Sequence, residues 1–198
     1  MAKIVSLISQ KGGVGKTTLC LQLYWSFIES GAKCILVDLD EQGSLMNLKL
    51  QGKGIEVTTL AELPKKEFQI AIIDTPPYIF ENFSKVVKQS DLILVPIKSS
   101  LIDSISAIQT FTELKASGGE DKSFALINMT IANTSFDKEV KDMLTDAKVP
   151  FLKSQIGNRV SFNRCQFNST SIFKEKDRKA KEEVKSFAME VYNKLLNN

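Results

Sequence analysis

Gln10-Lys11-Gly12-Gly13-Val14-Gly15-Lys16-Thr17-Thr18 stands between a strand-like run, Lys3 to Ser9, and a helical stretch, Lys16 to Ser30. That context decides the fold. Glycines between a strand and a helix let backbone N–H groups turn inward around phosphate oxygens, and the new helix N-terminus adds the positive end of its dipole. By the spacing, Gly12, Gly13, Val14 and Gly15 form the cradle, Lys16 reaches the β- and γ-phosphates, and the Thr17 hydroxyl ligates Mg²⁺. Thr18 is placed to contact the α-phosphate. A chance glycine-rich turn would not carry Gly-Lys-Thr at its end.

Outward from this loop, short apolar runs alternate with amphipathic stretches. Strands are expected at 34–38, 69–74, 91–97, 123–128 and 150–156, several apolar throughout, as in a parallel sheet covered on both faces. Helices are expected at 79–89, 102–117, 135–147 and from about 177 to 196, with Gly31 and Gly118-Gly119 as helix stops. Alternation at this pace predicts an α/β fold, a doubly wound and mostly parallel sheet. No repeat or linker interrupts residues 1–198, so one domain is expected.

Composition narrows the chemistry. The chain has no histidine, which removes His triads and His-ligated zinc. Cys20, Cys34 and Cys165 are odd in number and widely spaced, which argues against a disulfide framework or a metal cluster and for buried small side chains. The net charge of +3 permits a local basic patch but does not by itself predict nucleic-acid binding. No apolar run is long enough to span a bilayer and no secretory leader is visible, so a cytoplasmic protein is expected.

Two more segments carry carboxylates at strand ends, where open α/β sheets bind ligands. Asp38-Leu39-Asp40-Glu41-Gln42-Gly43-Ser44 leaves the second strand. If extended geometry persists, Asp38 and Asp40 share one side, and a nearby cation would offset their proximity. They could instead cap the next helix. Ile70-Ala71-Ile72-Ile73-Asp74 is a buried strand ending in an acid, the arrangement that holds Mg²⁺ through water.

Gln10 stands where an ordinary Walker motif has its first glycine, and Lys11 follows it. The segment from Lys11 to Thr17 therefore resembles the deviant Walker motif of the ParA/MinD ATPases, with a P-loop NTPase fold. In that family the extra lysine, here Lys11, reaches the partner's ATP across a nucleotide sandwich homodimer. Asp38 to Ser44 resembles the family's first switch, with Glu41 in place of the usual proline, and implies that Asp40 positions or activates the attacking water and Asp38 supports the metal's water shell. Asp74-Thr75-Pro76-Pro77 resembles the second switch, leaving Thr75 or Tyr78 as backbone donors to the γ-phosphate because the prolines lack N–H. Asn128, after Phe124 to Ile127, either caps a turn or contacts adenine as in relatives.

The stretch from Gly157 to Arg164, followed by Ser171-Ile172-Phe173, is similar to small plasmid-type ParA proteins, whose arginines contribute to non-specific DNA binding. By that resemblance Arg159 and Arg164 are DNA-binding candidates, joined by Arg178, Lys181 and Lys185 along one face of the tail helix. Interleaved Glu175, Asp177, Glu182 and Glu183 leave a solvated face as the alternative. The resemblance implies a weak ATPase that uses ATP and Mg²⁺ to segregate plasmid or chromosomal DNA or position a cargo. A ParB-like or centromere-binding partner would stimulate hydrolysis, and the ATP-bound form would sit on the nucleoid. A MinD-like membrane-associated ATPase is the alternative. Val184 to Leu196 is amphipathic, but ordinary packing explains it better and no membrane contact is expected.

Overall fold

The computed structural model describes residues 2–51, 54–131, 135–168 and 170–197. Seven strands, β1 (Lys3–Leu7), β2 (Cys34–Asp38), β3 (Val57–Thr58), β4 (Ile70–Asp74), β5 (Leu92–Lys98), β6 (Ser123–Thr130) and β7 (Phe151–Gly157), form one sheet. Its order is β3-β2-β4-β1-β5-β6-β7, and every pairing is parallel. The helices are α1 (Lys16–Glu29), α2 (Ser44–Leu50), α3 (Phe83–Gln89), α4 (Leu101–Ala116), α5 (Phe136–Asp146), α6 (Val160–Asn168) and α7 (Arg178–Asn197).

Strand alternation divides the core in two. Val5, Leu7, Leu36, Ile72, Leu94 and Leu126 face α1, α6 and α7, meeting Leu19, Leu23, Phe162 and Phe187. Ile35, Val37, Ile73, Ile93, Val95 and Ile127 face α3, α4 and α5, meeting Val86, Leu114 and Leu144. Both faces are covered, which explains strands that read as continuous apolar runs rather than as alternating ones.

β1 lies between β4 and β5, where the chain stops building the sheet in one direction and continues in the other. The loop after β1 therefore emerges at the switch point, where the carboxyl ends of parallel strands leave a crevice. Register sharpens this. Leu7 pairs with Asp74 and Asp74 with Asp38, so the two carboxylates stand side by side at the level where β1 ends.

The expected glycine stops hold. Gly31 (φ 86) and Gly118 (φ 79) are left-handed, and Ala32 N donates to Phe27 O at 3.0 Å to close α1. Some elements differ from expectation. α3 starts at Phe83 rather than near Ile79, because the segment after Pro76-Pro77 makes a turn closed by Phe83 N on Phe80 O at 2.9 Å. α6 and the two-residue β3 were not anticipated, and α2 only as a helix that Asp38 and Asp40 could cap. α2 and α6 are short, and their mixed polar sequences carry little 3.6-residue periodicity.

β7 is an edge strand, and α7 covers it with carboxylates. Glu190 accepts from Lys153 N and Ser154 N, each at 2.8 Å, and Glu183 accepts from Gly157 N at 3.0 Å. This satisfies amides that would otherwise present an open edge. The same helix buries Phe187 completely. Phe187→Ala should cost about 3–5 kcal/mol by cavity formation, read as a lowered urea midpoint at unchanged m-value.

Candidate functional site

The loop from Gln10 to Gly15 is shaped by left-handed glycines, Gly13 (φ 70) and Gly15 (φ 88), the latter standing before the first residue of α1. A Cβ on Gly15 would lie 2.5 Å from Asn128 Nδ2, so that position accepts neither the conformation nor the volume of another residue. Asn128 Nδ2 donates to Val14 O at 2.7 Å. This bond is neither of the two roles offered for Asn128: it fastens the loop to the end of β6.

Lys16 is almost wholly buried and its ammonium donates inward, to Ser9 O at 3.3 Å and Lys11 O at 3.5 Å. Burial lowers its pKa, while Asp74, Cys20 and Asp40 act in the opposite direction. Thr17 Oγ1 donates to Asp74 Oδ2 at 2.6 Å. Asp74 is 1% exposed, and its other oxygen, Oδ1, is buried with no hydrogen-bond partner among the described residues. Burial pushes the Asp74 carboxyl up to about 7, although the Thr17 hydrogen bond and Lys16 favour the anion; Asp38 and Asp40 add to the upward shift. A buried acid with an idle acceptor beside a hydroxyl fits a divalent cation held partly through water. Among the described residues no cluster of three or more acids, cysteines or histidines forms a closed metal cage. Mg²⁺ needs none, since it keeps waters and takes substrate phosphate oxygens.

The first switch-like segment departs from expectation. β2 ends at Asp38, so the extended geometry does not continue to Asp40. Asp38 accepts from Leu45 N and Met46 N, both at 3.0 Å, and from Asp40 N at 3.2 Å. It caps the first turn of α2, the structural alternative for these acids, while burial raises its pKa. Asp40 Oδ1 accepts from Gln42 N at 3.1 Å in a turn closed by Gly43 N on Asp40 O at 2.8 Å. In the second segment, Thr75 is buried and its hydroxyl donates to Leu7 O at 2.8 Å, tying that turn to β1.

Lys11 is not free in solvent. Its Nζ lies 3.3 Å from Asp103 Oδ1, in the first turn of α4, where Ser100 caps the helix by accepting from Asp103 N at 3.1 Å. Asp103 was not singled out from the sequence; its only signal is an acid three residues after a capping serine. Thr18, expected at the α-phosphate, donates instead to Gln166 Oε1 of α6 at 2.9 Å.

Three of the five basic candidates stand against carboxylates. Arg159 is held by Glu183 at 2.7 Å and stands 3.8 Å from Asp177. Arg164 lies 3.7 Å from Glu175, and Arg178 pairs with Glu182 at 3.1 Å while remaining almost fully exposed. Lys181 is half-buried and Lys185 exposed on α7. Lys185 borders an apolar groove of about 970 Å³ between the end of α1 and α7, which lies by Lys3 and Ile70 at the opposite end of the sheet from the loop. That groove is not part of this site.

The CobQ/CobB/MinD/ParA nucleotide binding domain matches residues 5–172. The chain belongs to this family. Family members of known structure share its architecture. A putative plasmid partition protein from Borrelia burgdorferi, bound to AMPPNP, superposes with a TM-score of 0.75 over 98% of this chain and 100% of that one at 16% identity. MinD cell division protein from Aquifex aeolicus gives 0.78 over 97% of each chain, also at 16%. A maintenance of carboxysome distribution protein A from Gloeobacter kilaueensis is 22% identical over 91% of this chain and 88% of its own. The first curated relatives, from Pseudomonas putida, are 48% identical but match over only 28% of this chain and 20% of their own length.

In this nucleotide-binding domain, Asp74 provides a pH signature. Its folded pKa lies above the unfolded carboxylate value, so the folded state holds the extra proton between them and stability falls as pH rises from about 4 to about 7. Asp74→Asn should raise the Tm of the ligand-free protein by several degrees at pH 8, a gain that shrinks toward pH 5. Thermal melts across that range check it; a gain independent of pH would contradict the assignment.

Proposed function

We propose that this chain is a ParA-like ATPase that binds MgATP, forms a nucleotide-dependent homodimer on non-specific DNA and hydrolyses ATP when a ParB-like partner stimulates it. The observation that carries the reading is the corner formed by Lys16, Thr17 and Asp74 beneath the glycine loop, with Lys11 at its rim. Family membership supports nucleotide binding; the hydrolytic and partition roles rest on this geometry and on the likeness to a plasmid partition protein and a carboxysome distribution protein.

Each group has a distinct task. Loop amides from Gly12 to Thr17 donate to the anion, and Lys16 exchanges its carbonyl acceptors for β- and γ-phosphate oxygens. When bound, Mg²⁺ would supply charge neutralisation at the phosphates. Thr17 and Asp74 hold that corner, with Asp38 behind them fixing α2. Asp40 orients the attacking water; it lies within electrostatic reach of both Lys16 and Asp74. Asn128 positions the loop.

Lys11 must leave Asp103 to act across a dimer. Tyr78, Ile79, Ile102 and Ile105 are large apolar side chains between 45% and 67% exposed, on the segments that follow β4 and β5. Exposed apolar side chains on the two segments that leave the sheet at this end suit a surface covered on dimerisation. DNA contact then falls to Arg164, Arg178, Lys181 and Lys185, through phosphates rather than base edges. Arg159 is occupied in holding the α7–β7 junction. A membrane-seeking tail has less support, because Val184, Phe187, Val191 and Leu195 of α7 are spent in the core. No described helix is long and apolar enough to cross a membrane.

Size-exclusion chromatography and ATP turnover test this directly. With MgATP, Asp40→Ala should elute as a dimer with hydrolysis reduced on the order of a hundredfold. Lys16→Ala should stay monomeric and lose nucleotide binding at least about tenfold. Co-sedimentation with DNA rather than liposomes separates the partition reading from a MinD-like one. A wild type that stays monomeric in MgATP contradicts the proposal.

A further inference from the structure

Lys98 ends β5, the strand that flanks β1 on the side away from β4. Leu7 of β1 pairs with Leu94 of β5, so Lys98 stands four residues beyond the end of β1, about 13 Å along the strand and level with the loop. It pairs in register with Asn128 of β6, the residue that fastens Val14. The two form a row under the loop, Asn128 against Val14 and Gly15, Lys98 against Gly13. Lys98 Nζ lies 3.7 Å from the point where a Cβ on Gly13 would stand. Gly13 thus leaves open the space that the ammonium approaches.

Lys98 is half-buried, yet its ammonium has no hydrogen bond or ion pair among the described residues. The other lysines of the site differ: Lys16 is satisfied by two carbonyls and Lys11 by Asp103. Open to water and free of any protein partner among the described residues, this cation stands against an anion-binding loop. An anion seated in the loop would compensate it.

We infer that Lys98 is a third phosphate-binding cation of the nucleotide site, acting at the triphosphate end. The inference rests on the nucleotide-binding reading above. Along the loop, Thr18, the α-phosphate candidate, lies at the helix end and Gly13 toward the opposite end, near Lys11 in the chain. A charge at Gly13 therefore meets the terminal phosphate rather than the nucleoside side. Lys98 then favours ATP over ADP from within one protomer, without waiting for Lys11 of a partner.

The test is the affinity for MgATP and MgADP, by calorimetry at protein concentrations below those at which MgATP gives a dimer, in wild type, Lys98→Met and Lys98→Arg. Lys98→Met keeps the aliphatic stem and removes the charge; unchanged circular dichroism and Tm establish that it folds. The expected result is MgATP binding weakened roughly ten- to a hundredfold in Lys98→Met, MgADP changed less than about threefold, and most of the ATP affinity restored by Lys98→Arg. Equal losses for the two nucleotides, or no loss, overturn the inference while leaving the site reading intact. A wild type that binds neither nucleotide removes both.

Discussion

A lysine and a carboxylate are both buried beneath a glycine loop, and the rest of the molecule is arranged to make that tolerable. Lys16 and Asp74 lie almost out of water, each desolvated in the direction that disfavours its charge. Neither is neutralised by a short ion pair with the other. The ammonium turns back to loop carbonyls, and the carboxylate takes one hydroxyl and leaves one oxygen idle. Such a corner is costly without a ligand and is relieved by a polyanion carrying a divalent cation. The sheet supplies the rigidity that keeps it from relaxing. β1 sits in the centre, strands on either side bring Asp38, Asp74, Lys98 and Asn128 to its end, and two cores clamp the strands from both faces.

Much of this was legible in the sequence because the signals are local. Gly-Lys-Thr after an apolar strand marks the loop, four apolar residues before Asp74 mark the buried acid that Thr17 meets, and Gly31 marks the end of α1. The roles of Asp38 and Asn128 were less legible, since both depend on which backbone atoms the fold brings near. Asp38 turned out to hold the amides of α2, and Asn128 the carbonyl of Val14. Lys98 and Asp103 were missed for the same reason. A lysine at a strand end and an acid in a helix's first turn are unremarkable until register sets them beside Gly13 and Lys11.

The basic tail illustrates the converse. Counted along α7, Arg178, Lys181 and Lys185 make a stripe, but acids of the same helix have fixed duties. Glu183 and Glu190 satisfy edge amides of β7, and Glu183 also holds Arg159. The mixture of signs is thus a consequence of covering an edge strand, and any nucleic-acid surface here is what remains after that task.

The grip of the loop on triphosphate is tested most directly by hydrogen–deuterium exchange over residues 10–18, with and without saturating MgATP. Strong protection of the amides from Gly12 to Thr18 is expected on binding. Nucleotide bound at saturation with exchange in this segment unchanged would contradict it.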